Sequence, residues 1–145
     1  MHGIIFSELR KYVETKMGSE GWNELLAKAG LGKRIYLPIQ EYPDEDMLAL
    51  VGTASEVLEA PAEAILEDFG VFIAPALLGL YRTLVKPDWK TLDLLENTEH
   101  TIHSVVRARN PGARPAKLTA VRAAPDTVDL TTARNDAFAR WQRAL

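Results

Sequence analysis

Two of the three histidines in this chain, His100 and His103, have the residue type and spacing that could support metal chemistry. Both lie in residues 91–116, which are predicted to form a long helix, a turn and a short basic segment. Because they are three positions apart, a helix would place them on one face. A neutral imidazole can bind iron or zinc through one ring nitrogen. This stretch is therefore the candidate site for a metal or a metal-containing cofactor.

The residues alone leave alternatives open. A helical histidine is more often a packed or solvated side chain than a ligand. A zinc site made of His100, His103 and a glutamate has no third ligand placed by spacing, and a small metal-dependent enzyme on this pair has nothing that positions a substrate. Arg107, Arg109 and Arg114 could clamp an acidic group, although a solvated basic surface is the favoured interpretation.

Composition excludes several other classes of function. The 145 residues include no cysteine, which excludes disulfides, thiol catalysis and zinc–thiolate sites. There is no glycine-rich phosphate loop, and no serine lies in a nucleophile-elbow context. The sequence therefore predicts a protein that is not an enzyme. No apolar run reaches the roughly 20 residues that a membrane span needs, so a cytoplasmic protein without a membrane partner is predicted.

Charge is distributed unevenly along the chain. The net charge of −3 argues against nonspecific binding to nucleic acid. Residues 1–103 carry a balance of −8 and residues 104–145 a balance of +5. The basic C-terminal part could bind phosphate, carboxylate or an acidic partner. Pairing of its basic residues with the acidic residues of the same fold would explain the uneven charge equally well.

Hydrophobic periodicity and breaker residues predict a helical N-terminal part. Ser19 is expected to cap the second helix, and Gly70 is expected to interrupt the helical pattern. The apolar segment after Gly70 is too apolar for a surface helix and is predicted to line the core or a pocket. The predicted helices cover residues 3–16, 19–30, 45–59, 61–68, 71–85 and 91–109, and residues 35–38 are predicted to be short and extended.

The C-terminal part changes to strand alternation. Residues 117–123 and 127–132 are predicted strands joined by a hairpin turn, and a last helix is predicted over residues 136–144. The fold class is therefore α+β: an N-terminal helical subdomain, a long histidine-bearing helix and a small antiparallel sheet. The whole chain is predicted to be a single domain over residues 1–145, with the helical body at about 1–90 and the histidine helix and sheet at about 91–145.

Longer stretches of the sequence resemble the heme–nitric oxide/oxygen-binding (H-NOX, HNOB) sensor family. The opening MHGIIFSELRKYVETKMGSEGWNELL and the block LALVGTASEVLEAPAEAILEDFGVFI are similar to the corresponding family segments, and the resemblance covers roughly residues 1–134. In the family, a proline that packs on the porphyrin follows the iron-ligating histidine by about a dozen residues. The resemblance thus implies that His103 is the metal ligand, that Pro115 contacts the porphyrin, and that the cofactor is heme b.

The resemblance also implies roles for residues away from the histidine helix. The family motif Tyr-x-Ser-x-Arg binds the heme propionates, and its match here keeps Arg134, replaces serine with Thr132 and replaces tyrosine with Leu130. In the same register, three apolar residues face the distal side of the iron: Ile5, Leu9 and Ile73. Plain core packing is the alternative for these three. A distal side without a hydrogen-bond donor favours NO and CO over stable O₂ binding.

The function implied is a heme-based sensor of NO or CO that signals to a separate partner through the iron–histidine helix. A histidine kinase or a cyclic-dinucleotide enzyme would be such a partner. The alternative is a heme-free H-NOX-like regulatory or interaction module, favoured by Leu130 and by a shortened C-terminal region that would leave the pocket open. An exposed sheet edge could also be covered by a second copy, which implies a possible homodimer.

Overall fold

The computed structural model describes residues 1–110 and 112–133. The chain forms two compact units, Met1–Leu77 and Leu78–Leu145. The described elements run α1 (Gly3–Met17), α2 (Gly21–Lys28), α3 (Asp44–Leu58), α4 (Ala62–Leu80), α5 (Thr91–Asn97), a π-helix (Thr98–His103), α6 (Ser104–Arg109), β1 (Lys117–Ala124) and β2 (Thr127–Ala133). This confirms the α+β fold class. The single domain over residues 1–145 stays a prediction.

The first unit is built on the apolar face of α1. Phe6, Leu9, Tyr12 and Val13 are buried at helical spacing, and Trp22, Leu25 and Leu26 of α2 are buried with them in the core. His2 caps the start of this helix, because its Nδ1 accepts a hydrogen bond from the N–H of Ile4. The predicted helix over residues 3–16 is therefore confirmed to within one residue, and its buried face also includes the charged residue Glu8.

The start of α1 is held against the irregular segment that precedes α3. The N–H of Gly3 donates to the carbonyl of Gln40 at 2.7 Å. A β-carbon on Gly3 would lie 1.9 Å from the carbonyl oxygen of Leu37. Real side chains never approach that closely, so this contact requires glycine.

A polar network holds the same segment to α3. The ring of Tyr36 stacks on Phe6 at 4.2 Å, and its hydroxyl donates to the buried carboxylate of Asp46 at 2.9 Å. Arg34 donates to the other oxygen of Asp46 at 2.6 Å. Burial, and then the bond to Asp46, raise the pKa of Tyr36. Residues 35–38, predicted to be extended, are instead an irregular segment stabilised by these side chains.

Two expectations about helix ends were wrong. Ser19 does not cap α2: the helix begins after Glu20, which makes no capping side-chain bond. Gly70 does not interrupt the helix, because α4 is continuous from Ala62 to Leu80 and even includes Pro75. An interior glycine costs only about 1 kcal/mol, and the buried side chains on both sides of it, Phe69 and Ile73, offset that cost.

The apolar segment after Gly70 is only partly buried. Ile73 lies in the core, whereas Val71 is 72% exposed and Leu80 is 56% exposed. A helix can turn only one stripe toward a core, so the prediction that this segment lines the core is correct for Ile73 and wrong for the residues off that stripe.

The second unit contains the histidine helix and a two-stranded sheet. The sheet is antiparallel, with Lys117 opposite Ala133 and a local irregularity near Ala124. Arg122 of β1 joins it to α5, donating to Glu96 at 3.0 Å and to Asp93 at 2.7 Å. The two predicted strands are confirmed within a residue of their ends, while the predicted helix over 136–144 lies outside the described residues. None of the described helices is both long and apolar enough to cross a membrane.

Candidate heme-binding site

His103 is the last residue of the π-helix, in the middle of the continuous helical stretch Thr91–Arg109. Its side chain is 19% exposed. Its Nδ1 lies 3.1 Å from a carboxylate oxygen of Glu99, one turn earlier. No hydrogen bond to its Nε2 is found within the described part of the chain. Glu99 therefore orients the ring through Nδ1, and Nε2 is available to bind a metal.

Glu99 is the centre of a small network around this histidine. One of its oxygens also accepts the backbone N–H of Leu118 at 3.0 Å, and the other accepts from Arg107 at 2.6 Å. The bond from Leu118 comes first, and those from Arg107 and His103 add to it, lowering the pKa of Glu99 to about 2. Glu99 is thus a carboxylate at any physiological pH. Because a carboxylate only accepts hydrogen bonds, Nδ1 of His103 must carry the proton.

The π-helix changes the relation between the two histidines. The wide turn runs from Thr98 to His103, and π turns of this kind are rare and frequent at functional sites. His100 is exposed while His103 is half-buried, so the two side chains lie in different surroundings. The sequence had predicted that the two histidines share one face, because they are three residues apart and a regular α-helix was assumed.

Hydroxyl side chains at both ends of the π-helix give a physical reason for it. Thr98 donates to the carbonyl of Leu94, and Ser104 donates to the carbonyl of His100. Such bonds to carbonyls four residues back compete with the helical backbone pattern and bend helices. The π-helix could not be predicted from hydrophobic periodicity, because it depends on these two polar hydroxyl side chains.

The proline and the threonine of the expected site lie in the second unit with His103. Pro115 is half-buried and precedes β1, shortly after a turn in which the N–H of Ala113 donates to Asn110 at 2.8 Å. Thr132 is exposed on β2 and is the strand partner of Leu118, the residue bound to Glu99. Arg134 lies outside the described residues.

The three residues expected on the distal side all belong to the first unit. Leu9 and Ile73 are buried in its core, and Ile5 is half-buried. In the same unit the ring of Tyr12 packs against Phe69 and Phe72, with ring centroids 5.5 Å apart in each pair. Core packing alone accounts for these contacts.

The donor set fits heme iron better than a free zinc ion. Among the residues whose positions the structure gives, no group of three or more histidine and carboxylate side chains could hold a metal ion. Zinc needs three or four protein ligands. Heme iron needs one histidine, with its second nitrogen held by a carboxylate or carbonyl. His103 with Glu99 has this arrangement.

The sequence did not single out Glu99 as the partner of His103. The signal was available, because Glu99 and His103 are four residues apart and so face each other on a helix. The bonds from Leu118 and Arg107 to Glu99 are harder to predict from the sequence. Leu118, for example, is 19 positions away from Glu99 along the chain.

One known protein family matches most of the chain. The model of the family described as haem-NO-binding (HNOB) matches residues 2–132. No curated protein matches.

Solved structures show the same fold. An H-NOX protein from S. oneidensis in the Fe(II)NO state is 22% identical with a TM-score of 0.84, over 92% of this chain and 74% of that one. A mutant H-NOX protein from K. algicida in the Fe(II) unliganded state is 24% identical with a TM-score of 0.75, over 99% of this chain and 78% of that one. At these identities the structural likeness shows the fold alone.

Proposed function

Because the chain belongs to the haem-NO-binding (H-NOX) family, we propose that it binds heme b through Nε2 of His103 and senses NO or CO. The observation that carries the proposal is the state of His103. Its Nδ1 is held by Glu99 at 3.1 Å, and its Nε2 has no partner among the described residues. Heme, when bound, supplies the iron that takes the gas ligand. The protein orients the imidazole.

The rest of the heme contact falls to residues close in sequence to the sheet. Pro115 is proposed to pack on the porphyrin, and Thr132 and Arg134 to bind the propionates, since a hydroxyl and a guanidinium suit carboxylates. The exposed position of Thr132 on β2 leaves its hydroxyl accessible to such a group.

Replacement of Arg134 with alanine is expected to speed heme loss, because a charge-assisted bond to a propionate is removed. Such a bond contributes about 1.5–3 kcal/mol, so the rate of heme transfer to excess apomyoglobin should rise roughly 10-fold or more. Arg10→Ala is the control, since Arg10 is exposed on α1 and pairs with Glu14. Equal transfer rates for the Arg134 variant and the wild type would show that the propionate assignment is wrong.

Ligand preference is proposed to follow from the apolar character of Ile5, Leu9 and Ile73. Bound O₂ is polar and gains from a hydrogen-bond donor, whereas NO and CO need none. We expect the ferrous protein to change its absorption spectrum with NO and with CO, and to form no stable O₂ complex in air. A stable oxygenated spectrum would contradict the distal assignment of these three residues.

Signalling is proposed to pass through the histidine helix. With heme held by His103, a bound gas ligand would loosen the hold of this histidine on the iron, and the histidine helix would then be free to shift. A separate cytoplasmic protein, such as a histidine kinase or a cyclic-dinucleotide enzyme, would read the shift, and the domain itself would catalyse no reaction. The activity of the partner enzyme, measured in the presence of this protein with and without NO, tests the signalling proposal. A second copy of the chain is a further candidate partner.

One observation favours a second candidate, a heme-free regulatory module of the same family. Leu130 stands where the family motif has tyrosine, and it is 45% exposed on β2. A leucine cannot hydrogen-bond a propionate. The absence of heme in protein prepared with heme available would favour this alternative.

A further inference from the structure

Glu99 has three bonding partners from three different parts of the second unit. They are the Nδ1 of His103 at 3.1 Å, the guanidinium of Arg107 at 2.6 Å and the backbone N–H of Leu118 at 3.0 Å. All three are donors toward Glu99, which fits an ionised carboxylate that only accepts. The carboxylate side chain is 14% exposed, so water competes little for these bonds.

We propose that Glu99 is a positioning residue that sets the tautomer and basicity of His103 and ties that imidazole to the start of strand β1. This rests on the proposed function, in which Nε2 of His103 holds the heme iron. A carboxylate on the far nitrogen of a metal-bound histidine fixes the ring and raises its basicity as a ligand. With heme bound, Glu99 would thereby strengthen the hold of His103 on the iron.

Arg107 and Leu118 moderate that effect. Arg107 draws on the oxygen of Glu99 that does not face the histidine, and Leu118 shares the oxygen that does. The charge that Glu99 can offer to His103 is therefore divided among three donors. Removing Arg107 should leave more of it for the histidine.

The bond to Leu118 gives His103 a mechanical link to β1. Leu118 is the second residue of that strand and the partner of Thr132 on β2. A displacement of His103 that carries Glu99 with it breaks or strains the bond to Leu118. The state of the iron–histidine bond would then reach the sheet through a single side chain.

The first test uses the heme-loaded full chain and compares Glu99→Gln, Glu99→Leu and Arg107→Ala. Glutamine keeps the shape and loses the charge, and leucine loses both. We expect the iron–histidine stretching band of the ferrous protein, measured by resonance Raman, to move to lower frequency in the glutamine variant and further in the leucine variant. The band of the Arg107 variant should move to higher frequency. Heme transfer to apomyoglobin should be about 10- to 100-fold faster in the leucine variant.

Glu96→Gln is the matched control. Glu96 is a carboxylate three residues earlier that pairs with Arg122 instead of His103. Its variant should leave the band unchanged. A band that stays in place in both Glu99 variants, or that moves equally in the Glu96 variant, would overturn the proposal.

The second test needs no heme and separates this proposal from the proposed function. In the full chain purified without heme, long-range ¹H–¹⁵N spectra report the tautomer of each histidine. We expect the Nδ1–H form at His103 in the wild type, and the Nε2–H form that free histidine favours in Glu99→Leu. If the wild type binds no heme but shows this change, the heme function fails and the role of Glu99 stands. If heme binds and the tautomer is unaffected, Glu99 is not the positioning residue.

Discussion

Replacement of His103 with glycine is expected to abolish heme binding, and added imidazole is expected to restore it. The reason is that His103 is the one side chain of the histidine helix with both an oriented and an available ring nitrogen in the described structure. Glycine removes the ligand and leaves a space that free imidazole can enter. The measurement is the heme-to-protein ratio and the absorption spectrum after purification, with and without imidazole.

His100→Gly is the matched control for this variant. His100 lies on the same π-helix, three residues earlier, with an exposed side chain. Both variants place glycine in the same irregular turn, so any general effect on the helix is shared. Heme retained by the His103 variant without imidazole, or lost equally by the His100 variant, would contradict the assignment of the ligand.

Replacement of Gly3 with alanine is expected to destabilise the first unit strongly. The added β-carbon would lie 1.9 Å from the carbonyl oxygen of Leu37 and 3.0 Å from that of Gln40, both backbone atoms that cannot rotate away. Overpacking costs about 1–3 kcal/mol, occasionally more, and a backbone collision belongs at the upper end. For a chain of this size that corresponds to a fall of roughly 6–12 °C in Tm.

Gly52→Ala is the control for Gly3→Ala. Gly52 lies inside α3, where a β-carbon would meet nothing within 4 Å. Alanine is favoured over glycine within a helix by about 1 kcal/mol, so Tm should rise slightly. Thermal unfolding of both variants checks the pair, and an unchanged Tm for Gly3→Ala would show that the approach of α1 to Leu37 is looser than described.

The functional consequence of the Gly3 contact concerns the residues that follow it on α1. Ile5 and Leu9 are placed by a helix whose start is held by the bond from Gly3 to Gln40. If these two residues face the iron as proposed, the Gly3→Ala variant should also change the ligand spectra of the heme that remains.

Local sequence patterns were sufficient to predict the elements whose structure depends only on residues close together in the chain. The helical spacing of Leu9, Tyr12 and Val13 correctly predicted a helix at α1, and the alternation on both sides of Pro125 correctly predicted the hairpin. In both cases the residues that decide the structure are close in sequence, so no long-range contact had to be known.

The predictions failed where packing overrode a local preference. Gly70 was read as a helix breaker, yet burial of Phe69 and Ile73 keeps α4 continuous through it. The π-helix could not be read from hydrophobic spacing, because Thr98 and Ser104 act through hydroxyl bonds to the backbone. The bond between Glu99 and Leu118 depends on how β1 returns to the histidine helix.

For the site, the family resemblance implied His103, Pro115 and the distal residues, and the structure adds a physical difference between the two histidines. Spacing made them equivalent. Only His103 has a carboxylate on one ring nitrogen and partial burial, and His100 is exposed. This difference in surroundings could not be predicted from spacing, because it depends on the positions of Glu99 and of the π turn.

The central claim, that this chain holds heme on His103, is tested most directly by the absorption spectrum of the wild-type protein purified from cells supplied with a heme precursor. We expect a Soret band, with heme in proportion to protein, that shifts when NO is added to the ferrous form. A protein with no Soret band, even after hemin is added, would contradict the claim.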